Sequence, residues 1–358
     1  MSLGIISFTS RGRKQAERLN RLLREAGYDC RDDSGRKAAD WAGEMFREGR
    51  SMIFVGAAGI AVRSIAPWLK DKFRDPAVVV MDEAGRFVIP ILSGHAGGAN
   101  DLARVIGTLA GAVPVITTAT DVNQVFSVDV FAVLNGLQIS DRVRAKEIAM
   151  ALLEKEPVGF FSEFPIVAEN EKETDWIPKG CRREKAEKNI RITVKEREPD
   201  WAEEDLILRP RALCLGVGCR RGIETKRLKD TVFQALAKAN LSPAAVKTLA
   251  TIDLKFDEQA IRELAEERGW ELRFFSAEEL NAVQGSFSGS DFVQKTVGVD
   301  NVCERAALAA LPGGRLVMEK KAENGVTAAA AVGKVRIAAG GPRQVPGIIA
   351  HKGPKDGP

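Results

Sequence analysis

Three glycine-rich segments stand out as places where the chain could hold and act on an anion. They are Gly56-Ala57-Ala58-Gly59, with Arg63 behind it; Ser93-Gly94-His95-Ala96-Gly97-Gly98, leading to Asn100, Asp101 and Arg104; and Gly216-Val217-Gly218-Cys219-Arg220-Arg221-Gly222, with Lys226 beyond. Each follows an apolar run and precedes a helical pattern. A loop in that place presents unpaired backbone N–H groups at the positive end of a helix, which suits carboxylates or phosphates. Any one of them read alone is a tight turn, because glycine is common punctuation. Three together, each with arginine inside or close behind, point to a ligand with several negative groups. Standard nucleotide loops do not fit. Arg221 stands at the third glycine position of a G-x-G-x-x-G, and no G-x-x-x-x-G-K-[ST] occurs.

The chain has only two histidines. His351 lies in a loose Gly/Pro-rich tail, so imidazole chemistry near neutral pH falls to His95. A lone histidine also reads as a structural hydrogen-bonder. Its place between glycines at a strand end, with Asn100 and Asp101 nearby, is where open α/β sheets put ligands. Thr117, Thr118, Thr120 and Asp121 either meet ligand hydroxyl or carboxylate groups or cap the segment they open. The five cysteines are scattered with no C-x-x-C pair, so neither a zinc site nor a disulfide framework is implied. Cys214 sits in an apolar strand and reads as core; neither it nor Cys219 belongs to a Cys/His arrangement.

The elements that must position these residues alternate. Leu3 to Phe8 is a buried strand and Ala16 to Ala26 a helix stopped by Gly27. Met52 to Val55 is a second strand, with a short helix after Gly59 that runs to Pro67. Ala77 to Met81 and Arg86 to Ile89 flank Asp82-Glu83-Ala84-Gly85, a hairpin or turn signal, and a helix runs from Ala99 to Leu109 before a strand at Val113 to Ile116. From Glu163 to Asp205 charged residues dominate, and only Ile190, Ile192 and Val194 alternate as a short strand. A second alternating unit follows: strand Ala212–Val217, helix Ile223–Ala239, a helix started by Ser242-Pro243, helix Phe256–Gly269, strand Glu271–Phe275 and helix Val302–Leu311. Two strands close it around Glu323-Asn324-Gly325, an Asn-Gly hairpin signal. The fold class expected is two α/β domains with mostly parallel sheets, residues 1–140 and 206–338, joined by a smaller, variable charged segment, 141–205. Residues 339–358 read as an unfolded tail.

Composition narrows the partners. At 358 residues the chain is long enough for two or three domains. Its 53 Lys+Arg against 49 Asp+Glu leave a net charge of only +4, too little for the concentrated basic face of a nucleic-acid binder. No apolar run reaches the roughly 18 residues of a membrane span, and the N-terminus lacks a secretory pattern. A cytoplasmic protein with a small-molecule anionic ligand is the plain expectation.

Two sets of strings carry a family resemblance. Val55-Gly56-Ala57-Ala58-Gly59-Ile60-Ala61-Val62-Arg63, Leu92-Ser93-Gly94-His95-Ala96-Gly97-Gly98-Ala99-Asn100 and Thr117-Thr118-Ala119-Thr120-Asp121 resemble the N-terminal domain of the CbiG family. Leu215 to Gly222 and Gly298-Val299-Asp300-Asn301-Val302-Cys303-Glu304-Arg305-Ala306-Ala307-Leu308 resemble its C-terminal domain. Arg305 departs from the family's pattern, where proline is expected.

The resemblance implies a cobalt-precorrin-5A hydrolase of the oxygen-independent cobalamin pathway. Its substrate is a cobalt-bearing tetrapyrrole with acetate and propionate arms, one acetate being tied as a δ-lactone to a meso carbon. Water opens the lactone and a two-carbon unit leaves as acetaldehyde. On that reading His95 is the general base, with Asp121 and Glu304 as further acid–base candidates. The N–H groups of Gly97 and Gly98 stabilise the carbonyl oxygen. Arg63, Arg104, Arg220 and Arg221 hold carboxylate arms, and Gly56, Gly59, Asn100, Thr117, Thr118 and Gly218 complete the substrate contacts. No protein-bound metal or other cofactor is expected, since cobalt arrives with the substrate. Expected partners are the corrinoid and, transiently, other pathway enzymes; a homodimer is left open. The competing reading is a non-catalytic carrier that passes corrinoid intermediates between methyltransferases.

Overall fold

The computed structural model describes residues 2–71, 74–94, 97–168, 172–289 and 291–339. The chain divides into two compact units. One comprises residues up to Val133 with Leu152–Lys155; the other comprises Leu134–Ala151 with Glu156–Ala339.

In the first unit the chain runs β1 (Ser2–Ser7), α1 (Ser10–Glu25), β2 (Asp29–Asp32), α2 (Ala38–Glu48), β3 (Ser51–Val55), α3 (Ala58–Ile65), β4 (Val78–Met81), β5 (Phe87–Leu92), α4 (Ala99–Ala110), β6 (Val113–Pro114) and α5 (Ala119–Val122). The sheet order is β2-β1-β3-β4-β5-β6. β1 to β4 are parallel, while β5 runs antiparallel to β4 and parallel to β6. Alternation along a strand sends successive side chains to opposite faces. Ile53 and Val55 therefore join the core under α1 and α4, and Met52 and Phe54 join the one under α2 and α3. β2 and α2 carry no signal among the expected elements. β2 is the polar edge strand Asp-Cys-Arg-Asp with only Cys30 buried, and α2 opens at Lys37 without a side-chain cap.

The chain continues through α6 (Val128–Leu134), β7 (Leu137–Ile139), α7 (Arg142–Leu153), β8 (Val158–Ser162), β9 (Ile166–Val167), β10 (Cys181–Arg182), β11 (Lys188–Ile192) and β12 (Leu206–Pro210). The charged middle segment builds a five-stranded sheet, β10-β8-β11-β12-β7, mostly parallel. Its apolar pattern is faint because charge is taken inside. Arg191 pairs with Asp205, both buried, and its guanidinium lies 4.6 Å from the Phe161 ring and 5.1 Å from the Trp201 ring.

A third sheet follows from β13 (Leu213–Cys219), α8 (Thr225–Lys238), β14 (Val246–Ile252), α9 (Gln259–Arg268), β15 (Glu271–Phe275), α10 (Ala277–Ala282), α11 (Asp291–Val297), α12 (Val302–Ala309), β16 (Arg315–Glu323) and β17 (Val326–Val332), with β18 (Ile337–Ala338) pairing β9. Its order is β15-β14-β13-β17-β16, the first three strands parallel and the Asn324-Gly325 hairpin antiparallel. Two expectations need correction here. Ser242-Pro243 starts one 3-10 turn, Pro243–Ala245, and then a strand; proline pre-sets φ for either helix type and does not make the turn continue. Gly218 and Cys219 end β13 and are not loop residues. From Gly340 onward the expected tail, with His351, lies outside the described residues.

Candidate functional site

In the first unit, β5 delivers the chain into the Ser93–Gly98 turn. Ala99 N–H donates to Ser93 O (3.1 Å) and Asn100 N–H to Gly94 O (2.9 Å), which closes the loop onto the start of α4. Only glycine fits its tight places. A Cβ on Gly97 would lie 2.4 Å from Ser93 Cβ, and Gly98 takes a left-handed φ of 82°. The N–H groups of Gly97 and Gly98 make no backbone hydrogen bond among the described residues. His95 itself lies outside the described residues.

Asn100 is 2% exposed. Its Nδ2 donates to Thr118 Oγ1 (3.0 Å) and to Asp121 Oδ2 (2.8 Å). Arg104 donates to Asp101 Oδ1 (2.8 Å) and also to Asp121 Oδ1. Four of the expected residues, Asn100, Arg104, Thr118 and Asp121, therefore form one bonded cluster across α4 and α5. Thr117 beside it is exposed. Both terminal nitrogens of Arg104 are engaged by its own chain, so its part here is to hold Asp121 in place.

Gly56, Gly59 and Arg63 do not join this cluster. Val55 pairs with Met81 at one end of β4, whereas Leu92 pairs with Val78 at the other. The Gly56 turn and the Ser93–Gly98 turn thus leave the sheet from opposite edges, a consequence of the reversed direction of β5. The Gly56 turn lies instead where β1 and β3 send their helices to opposite faces, the switch point of a doubly wound sheet. Arg63 is exposed, and the first turn of α3 at Gly59 has open space around it.

In the second unit, the ends of β13 and β14, the start of α12 and the tip of the β16–β17 hairpin enclose a cleft of about 770 Å³. Gly218, Arg220 and Arg221 line it, as do Ile252, Val302 and Val326. Gly218 lies beside Thr327, whose Oγ1 donates to Gly218 O at 3.3 Å. Arg220 N–H donates to Gly325 O (3.1 Å), pinning the hairpin tip to the end of β13. The exposed Arg221 reaches Asp257 at 3.6 Å.

Glu304, 2% exposed, does not open into this cleft as a free base. Its carboxylate accepts from Ser288 N–H (3.1 Å), Lys320 N–H (2.7 Å) and Asn301 Nδ2, while Asn301 Oδ1 caps α12 by accepting from Glu304 N–H (3.0 Å). The Asn-x-x-Glu spacing is a legible capping signal that sequence reasoning passed over. Lys320, whose Nζ donates to Ser288 O (3.0 Å), has no local signal, because the hairpin brings it from a distant strand. The lining thiols are not nucleophiles near neutral pH. Burial pushes Cys219 and Cys303 up to about 11. The Arg305 hydrogen bond (2.7 Å) holds Asp300 below the usual carboxylate range. Among the described residues no group of three or more His, Cys, Asp or Glu could hold a metal ion.

Family models match the chain in three consecutive stretches. These are "Cobalamin synthesis G N-terminal" over residues 40–121, "Cobalamin biosynthesis central region" over 126–210 and "Cobalamin synthesis G C-terminus" over 213–331. The chain belongs to the CbiG family. A CbiG relative from Salmonella typhimurium, named cobalt-precorrin-5A hydrolase, is 37% identical over 85% of this chain and 87% of its own length. Another from Priestia megaterium, of the same name, is 30% identical over 92% of this chain and 94% of its own. Among solved structures, a cobalamin biosynthesis protein G homolog from Sulfolobus solfataricus is 21% identical, covering 92% of this chain and 97% of that one, with a TM-score of 0.40. The first-unit cluster lies within or beside the N-terminal CbiG stretch, and the cleft is built largely from the C-terminal one. No helix among the described residues is long and apolar enough to cross a membrane.

Proposed function

We propose that this CbiG protein is a cobalt-precorrin-5A hydrolase, opening the δ-lactone of its substrate with water and releasing acetaldehyde to leave the ring-contracted cobalt-precorrin-5B. The observation that carries this is similarity over nearly the full length to two relatives named for that activity, at 37% and 30% identity. The carrier reading has no support among them. The setting proposed is the cytoplasm, with the corrinoid as partner. Cobalt belongs to the substrate, and no resident cofactor is invoked.

The first-unit turn is assigned the chemistry. The N–H groups of Gly97 and Gly98, which make no backbone hydrogen bond among the described residues, face the lactone carbonyl oxygen as charge develops on it. His95, on its place in the sequence between Gly94 and that pair, takes the proton of the attacking water, or of the hydroxyl whose loss of a proton starts carbon–carbon cleavage. Asn100 and Arg104 fix Asp121 beside the turn. Arg220 and Arg221, which line the second-unit cleft, are assigned carboxylate binding within that cleft.

The test is anaerobic incubation of the purified protein with cobalt-precorrin-5A and trapping of released acetaldehyde. Wild type releases it, and His95→Ala releases it more slowly by roughly 100-fold or more, the ordinary worth of a general base. Wild type that binds the corrinoid and yields no acetaldehyde ends the hydrolase reading.

A further inference from the structure

The sheet that carries the Arg220 cleft at one end has a basic hollow at the other. It lies where β13, β14 and β15 begin, beside the last residues of α12 and the link that leaves β17, and encloses about 770 Å³. Every residue that lines it belongs to the second unit. Four cations, Arg211, Lys247, Lys334 and Arg336, stand around it against a single carboxylate, Glu271. Part of that charge serves the fold. Arg211 donates to Val246 O (3.3 Å) and to Gly269 O (2.7 Å), at the carbonyl end of α9. Lys247 lies 3.6 Å from Glu271, but both side chains are more than half exposed, and such a pair is worth little in water. Lys334 is exposed and has no hydrogen bond or ion pair among the described residues. Its ammonium stands over Gly313, where a Cβ would come within 2.9 Å of Nζ. The backbone N–H groups of Lys334 and Val335 make no backbone hydrogen bond among the described residues either.

We infer that this hollow binds a small polyphosphate. Arg211 has spent its fork on backbone carbonyls, so it brings charge and not the bidentate geometry that suits a carboxylate. Lys247 and Lys334 are point charges on flexible stems, which suit the dense charge of a phosphate chain. One carboxylate leaves most of the positive charge unanswered, so a ligand with several negative groups gains more than a single anion does. The site uses no glycine loop of the nucleotide-binding kind, so the sequence carried no signal for it. A polyphosphate seated here meets Lys247 at the start of β14 and Lys334 after β17, and binding therefore also stabilises the folded second unit. The inference goes beyond the hydrolase reading and does not depend on it.

The experiment is isothermal titration calorimetry of the full-length protein with sodium tripolyphosphate at low ionic strength, with sulfate, citrate and ATP titrated in parallel. Wild type is compared with Lys334→Ala, Lys247→Ala and Arg220→Ala. Both lysines are exposed, and near-ultraviolet circular dichroism checks that the variants are folded. Wild type binds one equivalent of tripolyphosphate roughly tenfold or more tightly than sulfate or citrate. Each lysine substitution weakens that binding roughly fivefold or more, added salt weakens it further, and Arg220→Ala leaves it unchanged. ATP that binds at least as tightly as tripolyphosphate identifies a nucleotide as the source; weaker ATP binding identifies the free phosphate chain. Absence of tripolyphosphate binding overturns the inference, and so does sulfate or citrate bound as tightly, because the hollow then reads charge alone. Binding lost in Arg220→Ala and kept in the folded lysine variants also overturns it, since the anion then sits in the other cleft. Acetaldehyde release has no part in the readout, so this inference and the hydrolase reading fail separately.

Discussion

The side-chain amide of Asn100 has two protons, and both are used: one on the Thr118 hydroxyl, one on the Asp121 carboxylate. Almost no water reaches it, so neither bond has a ready substitute. Removing the amide leaves two partners without their donor, at a cost of about 1–3 kcal/mol for a buried group. Asn100→Ala is therefore expected to lower the urea midpoint measurably. Asn100→Asp is expected to lower it further at pH 7, because a second carboxylate then faces Asp121, and to recover part of the loss on acidification as one of the pair takes up a proton. Equal midpoints for the two variants across that pH range would contradict this bonding. The residue types at this site were legible in the sequence; their partners were not. Asp101, three residues before Arg104, is a helical neighbour that spacing alone supplies. Asp121 meets Arg104 only because the fold returns α5 beside α4, which is why Arg104 read as a free hand for a substrate arm.

At the scale of elements, the approach of α12 to β13 is set by a missing side chain. A Cβ on Gly216 would stand 1.8 Å from Cys303 O and 2.9 Å from Ala307 N, both backbone atoms. Gly216→Ala must push α12 off the sheet, and because α12 walls the cleft, it should weaken corrinoid binding as well as stability. The expected cost is about 3 kcal/mol or more, at the upper end for overpacking. Gly59→Ala offers the contrast. Gly59 sits in α3 with nothing within 4 Å of a Cβ, so alanine should stabilise by about 0.5–1 kcal/mol through helix propensity. Denaturant titration of both variants checks the pair, and a Gly216→Ala protein as stable as wild type would show that α12 can shift freely. Elements were legible where apolar residues recur at a clear period, as in α1 and α4, or where a turn signal marks a hairpin, as Asn324-Gly325 does between β16 and β17. They were lost where burial is shared with charge. The middle sheet buries Asn189, Arg191 and Asp205, so its strands read as a charged linker. The reversed direction of β5 was legible only as a hairpin-or-turn signal at Asp82-Glu83-Ala84-Gly85, yet it decides which glycine turns share an edge.

Over the whole molecule, five thiols give stability a shape in pH. Burial raises Cys30, Cys181 and Cys214 from an ordinary 9 to about 12, and Cys219 and Cys303 to about 11. Between those values and 9 the folded chain keeps protons that the unfolded chain gives up, so unfolding releases protons and stability falls as pH rises. Well below pH 9 both states are protonated at these groups and their contribution is complete. The thiols thus predict almost no slope near pH 7, a decline that sets in just below pH 9 as the unfolded thiols begin to ionise, and its continuation towards 11 and 12. Lysine ion pairs also loosen as lysine deprotonates, so the thiol share is isolated by difference. Cys214→Ala, at a fully buried position, should be less stable than wild type at pH 7, from the cavity it leaves, and should lose stability less steeply between pH 9 and 11. Parallel pH slopes for the two proteins would remove the thiol from the account. The same burial separates these cysteines from the chemistry. A thiol held at 11 or 12 supplies almost no thiolate near neutrality, so an alkylating reagent that modifies the thiols only after unfolding should leave acetaldehyde release intact in the folded enzyme. Rapid loss of turnover on alkylation of the folded protein would instead place a reactive thiolate in the mechanism.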